Sequence, residues 1–471
     1  MQKRFNHFYI ALFMIVALTA CAVGKNYQGP DVPVPQQFRG VTTSDTSSIA
    51  DIEWKQFFTD TTLQGLISRG IAYNYDLQLA IKRIDEAQQK VKQAKLLQVP
   101  ELNLQAAASS TNPSNNSLNG LSLNSFLGKN HVEDYTVAAN LSWEADIWGK
   151  IRREKEATLA AYLQTSEAAK AVQTQVVANI AQGFYNLLML DAQLEIAKKN
   201  LVLNDSTLQF TRLQRTAGEV TTLAVEQAEA QKQSTALLVP QLEQSIAEQE
   251  NALSILTGSL PAEIGRTVKL SQFKTPATLA TGVPAAIVSR RPDVRANEMA
   301  LIAANANVGV AQAYMYPALN ITATGGLNSF KASNWFNIPA SLFGMVAGSI
   351  TEPVLQHRQL KTQLEIAKIQ REQAVIQFRQ SVLNAAGEVS NALVATDKLK
   401  AQQQIASAQV DTLQHAIVNA RLLFRSGMAN YLEVITAQGN VLQAELNLAS
   451  VQRQQLGAMV ELYRSLGGGW K

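Results

Sequence analysis

Little in this 471-residue chain is suited to covalent or metal chemistry. It has one cysteine, Cys21, so no intramolecular disulfide can form. The four histidines (His7, His131, His357, His415) are scattered, and the chain holds only eight methionines. No Gly-x-Ser-x-Gly elbow, metal-spaced histidine pair or phosphate loop is present, so the residues call for no catalytic machinery, cofactor or resident metal. Charged residues make up 17%, and the net charge of +4 is not gathered into any lysine/arginine block, which argues against nucleic acid as a partner. The apolar run from Phe8 to Leu18 is too short to span a bilayer. Proline is scarce at 13 residues, while alanine and glutamine abound, a composition that suits long helices facing both partner helices and water.

Lys3 and Arg4 followed by that apolar run read as a signal peptide over residues 1–20. It ends in Leu18-Thr19-Ala20-Cys21, which resembles the bacterial lipoprotein lipobox; the alternative is an ordinary small-residue cleavage site. The resemblance implies lipidation of Cys21, and alanine at position 22 implies sorting to the outer membrane. Several acyl chains would anchor stably, since each buried methylene contributes about 0.8 kcal/mol. Residues 21–62, with Pro30, Pro33 and Pro35 near their start, read as the lipidated tether.

What the chain does have is a repeat. Asp76, Ala87, Val91, Ala94, Pro100, Leu102, Asn103 and Ala106 recur 217 residues later as Asp293, Ala304, Val308, Ala311, Pro317, Leu319, Asn320 and Ala323. Further on the offset falls to 209: Gly218, Leu223, Val225 and Ala228 are matched by Gly427, Leu432, Val434 and Ala437. Glu144 and Glu352 lie 208 apart, which places the length change in a loop between two strands. Self-similarity on this scale means a duplicated structural unit. The halves are residues 63–270 and 271–466, followed by a tail at 467–471.

Each half has the same plan. A helix from Leu63 to Leu97 stops at Pro100, after which Leu102, Leu104, Ala106 and Ala108 alternate with polar residues as a strand does. A loop rich in Asn, Ser and Gly (111–130) leads to a second alternating run, Tyr135 to Trp143. From Ile151 to Gln214 there is no proline and one glycine, predicting a helix of roughly 96 Å. The chain turns at Gly218 and returns to Leu256, with Pro240 a kink or break. The second half gives a helix from Arg291 to Tyr314, strands near Leu319–Thr324 and Phe343–Thr351, a helix over 357–424, a turn at Gly427 and a helix to Leu466. Arg291-Pro292-Asp293 reads as a helix start.

Four strands with one apolar face cannot close on themselves, and an open edge in lipid leaves backbone groups unsatisfied at several kcal/mol each. Small closed barrels need about eight strands, so several chains must share one. Tyr135, Trp143 and Trp148 fall where an interfacial girdle against outer-membrane lipid would sit. The alternative, a soluble sandwich, leaves the long helices without a purpose.

Several segments resemble the outer-membrane factor family, the TolC-like channels, and its lipoprotein branch that includes OprM and NodT. They are the lipobox, Trp143-Glu144-Ala145-Asp146-Ile147-Trp148-Gly149-Lys150, Asn251-Ala252-Leu253-Ser254-Ile255-Leu256-Thr257-Gly258, Ser289-Arg290-Arg291-Pro292-Asp293-Val294-Arg295 and the terminal Gly-Gly-Gly-Trp. The resemblance implies an α+β membrane protein: a homotrimer whose twelve strands form a transmembrane barrel, with a long α-helical barrel reaching into the periplasm. It implies a passive exit duct for drugs and small toxic compounds. The partners implied are a periplasmic adaptor and an inner-membrane transporter of the resistance-nodulation-division type. Export of metal ions or a secreted polypeptide is the alternative, and a non-transport envelope lipoprotein or hydrolase the remoter one.

In the family, the turns at Gly218 and Gly427 form the periplasmic tip where the pore closes and the adaptor docks. Leu432 fits the apolar gate position. Relatives commonly carry aspartate at the places of Thr436 and Ala224 and arginine at that of Gly439, so this chain departs from the charged constriction. Glu433 and Glu226 are the nearest carboxylates that would restore a negative ring and favour cations; the alternative is that both are solvated helix-surface residues.

Overall fold

The computed structural model describes residues 23–31, 48–273 and 286–471; Cys21, the 1–20 signal segment and residues 32–47 of the tether lie outside them. The longer described elements of the first half are α1 (Thr61–Tyr73), α2 (Tyr75–Leu96), β1 (Glu101–Thr111), α3 (Leu118–Leu127), β2 (Val132–Ala145), α4 (Lys150–Thr216) and α5 (Thr222–Leu256). The second half contributes α6 (Pro292–Ala313), β3 (Ala318–Ser329), β4 (Leu342–Thr351), α7 (Gln359–Arg425) and α8 (Tyr431–Ser465). No described helix is long and apolar enough to cross a membrane. The chain divides into two compact units. One holds Met1–Pro30, Asp85–Leu163 and Met299–Ile376, the other Asp31–Ile84, Gln164–Glu298 and Gln377–Lys471.

The duplication is visible in element lengths. The helices α4 and α7 each run 67 residues, α5 and α8 each 35, and α2 and α6 each 22. At about 1.5 Å per residue, α4 and α7 are rods of roughly 100 Å. The fall in offset from 217 to 209 lies in the strand connections, residues 112–131 against 330–341.

Three details differ from the sequence reading. The helix expected over Leu63–Leu97 breaks at Asn74, which has extended backbone (φ −62, ψ 127) and caps both sides. Its amide donates to Leu256 O at 3.0 Å, and its Oδ1 accepts from Leu77 N at 3.1 Å. The loop expected over 111–130 contains α3, started by Ser117, whose Oγ accepts from Gly120 N at 3.1 Å. Pro240 lies inside α5 without ending it.

In the first unit the strands form one antiparallel sheet in the order β1-β2-β3-β4. Register follows the pleat: Leu104, Ala139, Gly325 and Gly344 stand side by side. One face therefore carries Leu102, Leu104, Val137, Leu141, Ile321, Leu327, Val346 and Ile350. The other carries Gln105, Asn140, Thr324, Asn328 and Ser349, with Phe343 and Met345 of β4 among them. Polar side chains bridge across strands on that second face: Thr324 donates to Asn140 at 2.9 Å, and Asn328 to Asp134 and Thr136 at 2.8 Å. Every residue of β1 and β4 is exposed.

The core of the second unit is apolar along the middle of the helices: Ile180, Phe184, Leu187, Leu188, Leu253 and Leu462 are each 0–1% exposed. Tyr463 stacks on Phe57 at 4.1 Å and donates to Ile52 O at 2.7 Å; burial pushes its phenol up to about 12. Toward the hairpin turns buried polar pairs join the apolar packing. Buried Gln438 donates to Thr207 at 2.7 Å, and Asn204 to Thr235 at 2.8 Å.

Candidate functional site

The two hairpin turns are built alike. Gly218 (φ +80) and Gly427 (φ +74) occupy the left-handed region that a side chain with a Cβ disfavours, and each ends a 67-residue helix. Glu219 N donates to Gln214 O at 2.9 Å, and Met428 N to Leu423 O at 2.9 Å, the same closing bond 209 residues apart. The return helices start differently. Asn430 Oδ1 accepts from Leu432 N (3.0 Å) and Glu433 N (3.2 Å), whereas the Thr221 side chain makes no cap bond on α5.

The starts of α5 and α8 lie side by side in the second unit, since Ile435 packs on the cluster of Leu208, Val225 and Ala228. That contact turns Val225 and Val434 inward and leaves Leu432, Glu433 and Thr436 exposed, with Glu226 exposed on α5. Leu432 is 52% exposed. Its counterpart Leu223 is 55% exposed, a large apolar side chain presented to solvent at the same place in the other hairpin. The 209-residue offset was the signal that could have singled out Leu223 beside Leu432. Among the described residues no ion pair involves Glu226 or Glu433. Ala224 is fully buried, so a carboxylate there would be desolvated rather than presented to a lumen.

The aromatics divide between the two ends of the sheet. Tyr135 and Trp143 share the apolar face, eight residues apart along β2, which is about 27 Å. Trp143 donates from Nε1 to Gln98 O at 3.0 Å. Trp148 lies beyond the strand, stacked on Tyr316 at 4.9 Å and donating to Pro317 O at 2.7 Å. Its own carbonyl accepts from Val23 N at 3.1 Å, so Trp148 ties the segment after Cys21 to the foot of the sheet. Buried Arg153 secures the same segment through Gly24 O and Asn26 Oδ1 at 3.0 and 2.9 Å.

The Arg291-Pro292-Asp293 motif starts α6 as expected and also locks three helices. Arg291, 3% exposed, donates to Asp293 (2.6 Å), Glu388 of α7 (2.8 Å) and Ser465 O of α8 (3.1 Å). Burial alone would lower the Arg291 pKa, but the two carboxylates hold it above its ordinary value. Burial likewise works against the Asp293 carboxylate, and Arg291 more than offsets this, holding it below its ordinary value.

An apolar face backed by a polar one, unpaired sheet edges and paired helical hairpins describe a membrane channel subunit, and comparison with known proteins agrees. Residues 66–259 and 283–468 match the family described as outer membrane efflux protein. The chain is 30% identical over 462 residues to the cation efflux system protein CusC of Escherichia coli K12, covering 96% of this chain and 97% of that one. It is 29% identical over 463 residues to the antibiotic efflux pump outer membrane protein ArpC of Pseudomonas putida, covering 96% and 93%. The solved outer-membrane channel OprN superposes with a TM-score of 0.85 at 26% identity, over 96% of this chain and 100% of that one. The chain is a member of the outer membrane efflux protein family, a channel protein and not an enzyme.

Proposed function

We propose that three copies of this chain form a passive exit duct for drugs and other small toxic compounds. A periplasmic adaptor docks at the hairpin turns, and an inner-membrane transporter of the resistance-nodulation-division type supplies the energy. The observation that carries the reading is the sheet: four strands, an apolar face backed by a mainly polar one, and two open edges. Closing those edges between copies satisfies the backbone, and three copies give twelve strands. Lipid at Cys21 adds a second anchor. The exposed leucines at the return-helix starts suit an apolar gate: Leu432, with Leu223 as its counterpart, closes the duct by dewetting. Glu433, Glu226 and Thr436 line its approach.

Cation export is the second reading, favoured by the likeness to CusC. The two differ in what accumulates when the duct is missing. A strain lacking the protein becomes sensitive to several unrelated antibiotics, dyes and detergents. Sensitivity confined to one metal cation contradicts the drug reading and supports the second.

A further inference from the structure

The connection between β3 and β4 carries an unassigned apolar cluster. Phe330, Phe336 and Ile338 are 53%, 67% and 64% exposed, although the loop is stitched into a defined shape. Ser341 Oγ donates to Asn334 O at 2.6 Å, Ser341 N to Asn337 O at 2.9 Å, and Ser329 Oγ to Lys331 O at 3.0 Å. Those bonds hold the backbone, so the apolar side chains are presented rather than folded under.

Which side they are presented on is fixed by one contact. Trp335 stacks obliquely on Tyr135 with ring centroids 5.4 Å apart, and Phe336 continues the row 5.1 Å from Trp335. Tyr135 stands in register with Ala108 and Ser329, on the face that carries Val137, Leu141 and Leu327. The loop thus extends the apolar face beyond its end, away from the polar ladder of Asn140, Thr324 and Asn328. The indole Nε1 of Trp335 is itself buried without a hydrogen-bond partner, so the half-buried ring contributes apolar surface rather than a polar tip. Lys331 holds its ammonium 5.6 Å over the Phe330 ring. An indole with an apolar body, neighbouring phenylalanines and a lysine that can lift its charge toward phosphate is the composition of a membrane interface.

We infer that residues 330–338 are an interfacial anchor seated in the phosphate-bearing headgroup layer of the membrane, on the lipid side of the sheet at the end away from the long helices. The inference rests on reading the sheet as membrane-spanning. Continuity with the apolar face selects lipid over a protein partner.

The test uses the five native tryptophans, Trp54, Trp143, Trp148, Trp335 and Trp470. The full-length protein is reconstituted in phosphatidylethanolamine/phosphatidylglycerol vesicles carrying a nitroxide either at the headgroup or at mid-chain, and Trp335→Phe and Trp143→Phe are compared with the parent. Trp335→Phe is expected to remove an emission component that the headgroup nitroxide quenches more than the mid-chain one and that aqueous iodide quenches weakly. A Trp335 component quenched by iodide and untouched by either nitroxide, with Trp143 still lipid-quenched, overturns the anchor alone. Loss of lipid quenching at both residues contradicts the membrane-spanning sheet and takes the anchor with it.

Discussion

At the scale of single residues, the hairpin starts separate what is buried from what is presented. Val225 and Val434 face inward, while Leu223 and Leu432 are about half exposed at corresponding positions. A large apolar group left in water at matched sites is informative in a way that a scattered surface leucine is not. In an apolar gate, each leucine removed widens the constriction and eases wetting. Leu432→Ala is therefore expected to raise single-channel conductance in planar bilayers severalfold. Leu223→Ala should act in the same direction, and the double variant should exceed either. Unchanged conductance in Leu432→Ala removes that residue from the gate, and a change on Leu432→Ala alone confines the gate to the second repeat.

At the scale of elements, the ion-pair network at Arg291 binds the start of α6 to α7 and to the end of α8. Its arginine is buried and its carboxylates are partly exposed, with Asp293 and Glu388 side chains at 42% and 38%. Breaking a buried pair from the arginine side costs up to about 3–5 kcal/mol, and the exposure of the carboxylates trims this. Arg291→Ala should lower the thermal midpoint of the helical unit, with Arg291→Lys recovering part of the loss. The Asp293 carboxyl has a depressed folded-state pKa, so its contribution is present above its unfolded value of about 3.9 and is lost as pH falls through the lower folded value. Stability should hold down to about pH 4 and fall below it, and Asp293→Asn should flatten that acid limb. An acid limb unchanged in Asp293→Asn would remove this residue from the network's energetics.

The elements were largely legible because their signals are periodic. Proline-free stretches marked α4 and α7, strict alternation marked the strands, and the repeat located the unequal loop. What escaped the reading depends on single side chains making distant bonds. Asn74 breaks a helix by reaching Leu256, and Ser117 starts one inside a polar stretch. Arg291 was legible as part of a helix start, but Glu388 and Ser465 lie about 100 and 170 residues away, beyond any local pattern. The contact of Trp335 with Tyr135 depends on strand register, which no local pattern supplies.

At the scale of the whole molecule, the proposed duct depends on a sheet shared between chains. Within one chain β1 and β4 are separated by β2 and β3, so three inter-strand spacings of about 4.8 Å put them roughly 14 Å apart. That distance is twice what a disulfide can bridge. The sequence supplies a clean background, since Cys21 is the only native cysteine. The decisive measurement places one cysteine on β1 by Leu104→Cys and scans a second along β4 by Gly344→Cys, Val346→Cys and Gly348→Cys, followed by oxidation in membranes. A shared barrel predicts a covalent ladder of two and then three chains, stopping at three, for the pair in register. Pairs that yield only uncrosslinked single chains at every position would contradict it.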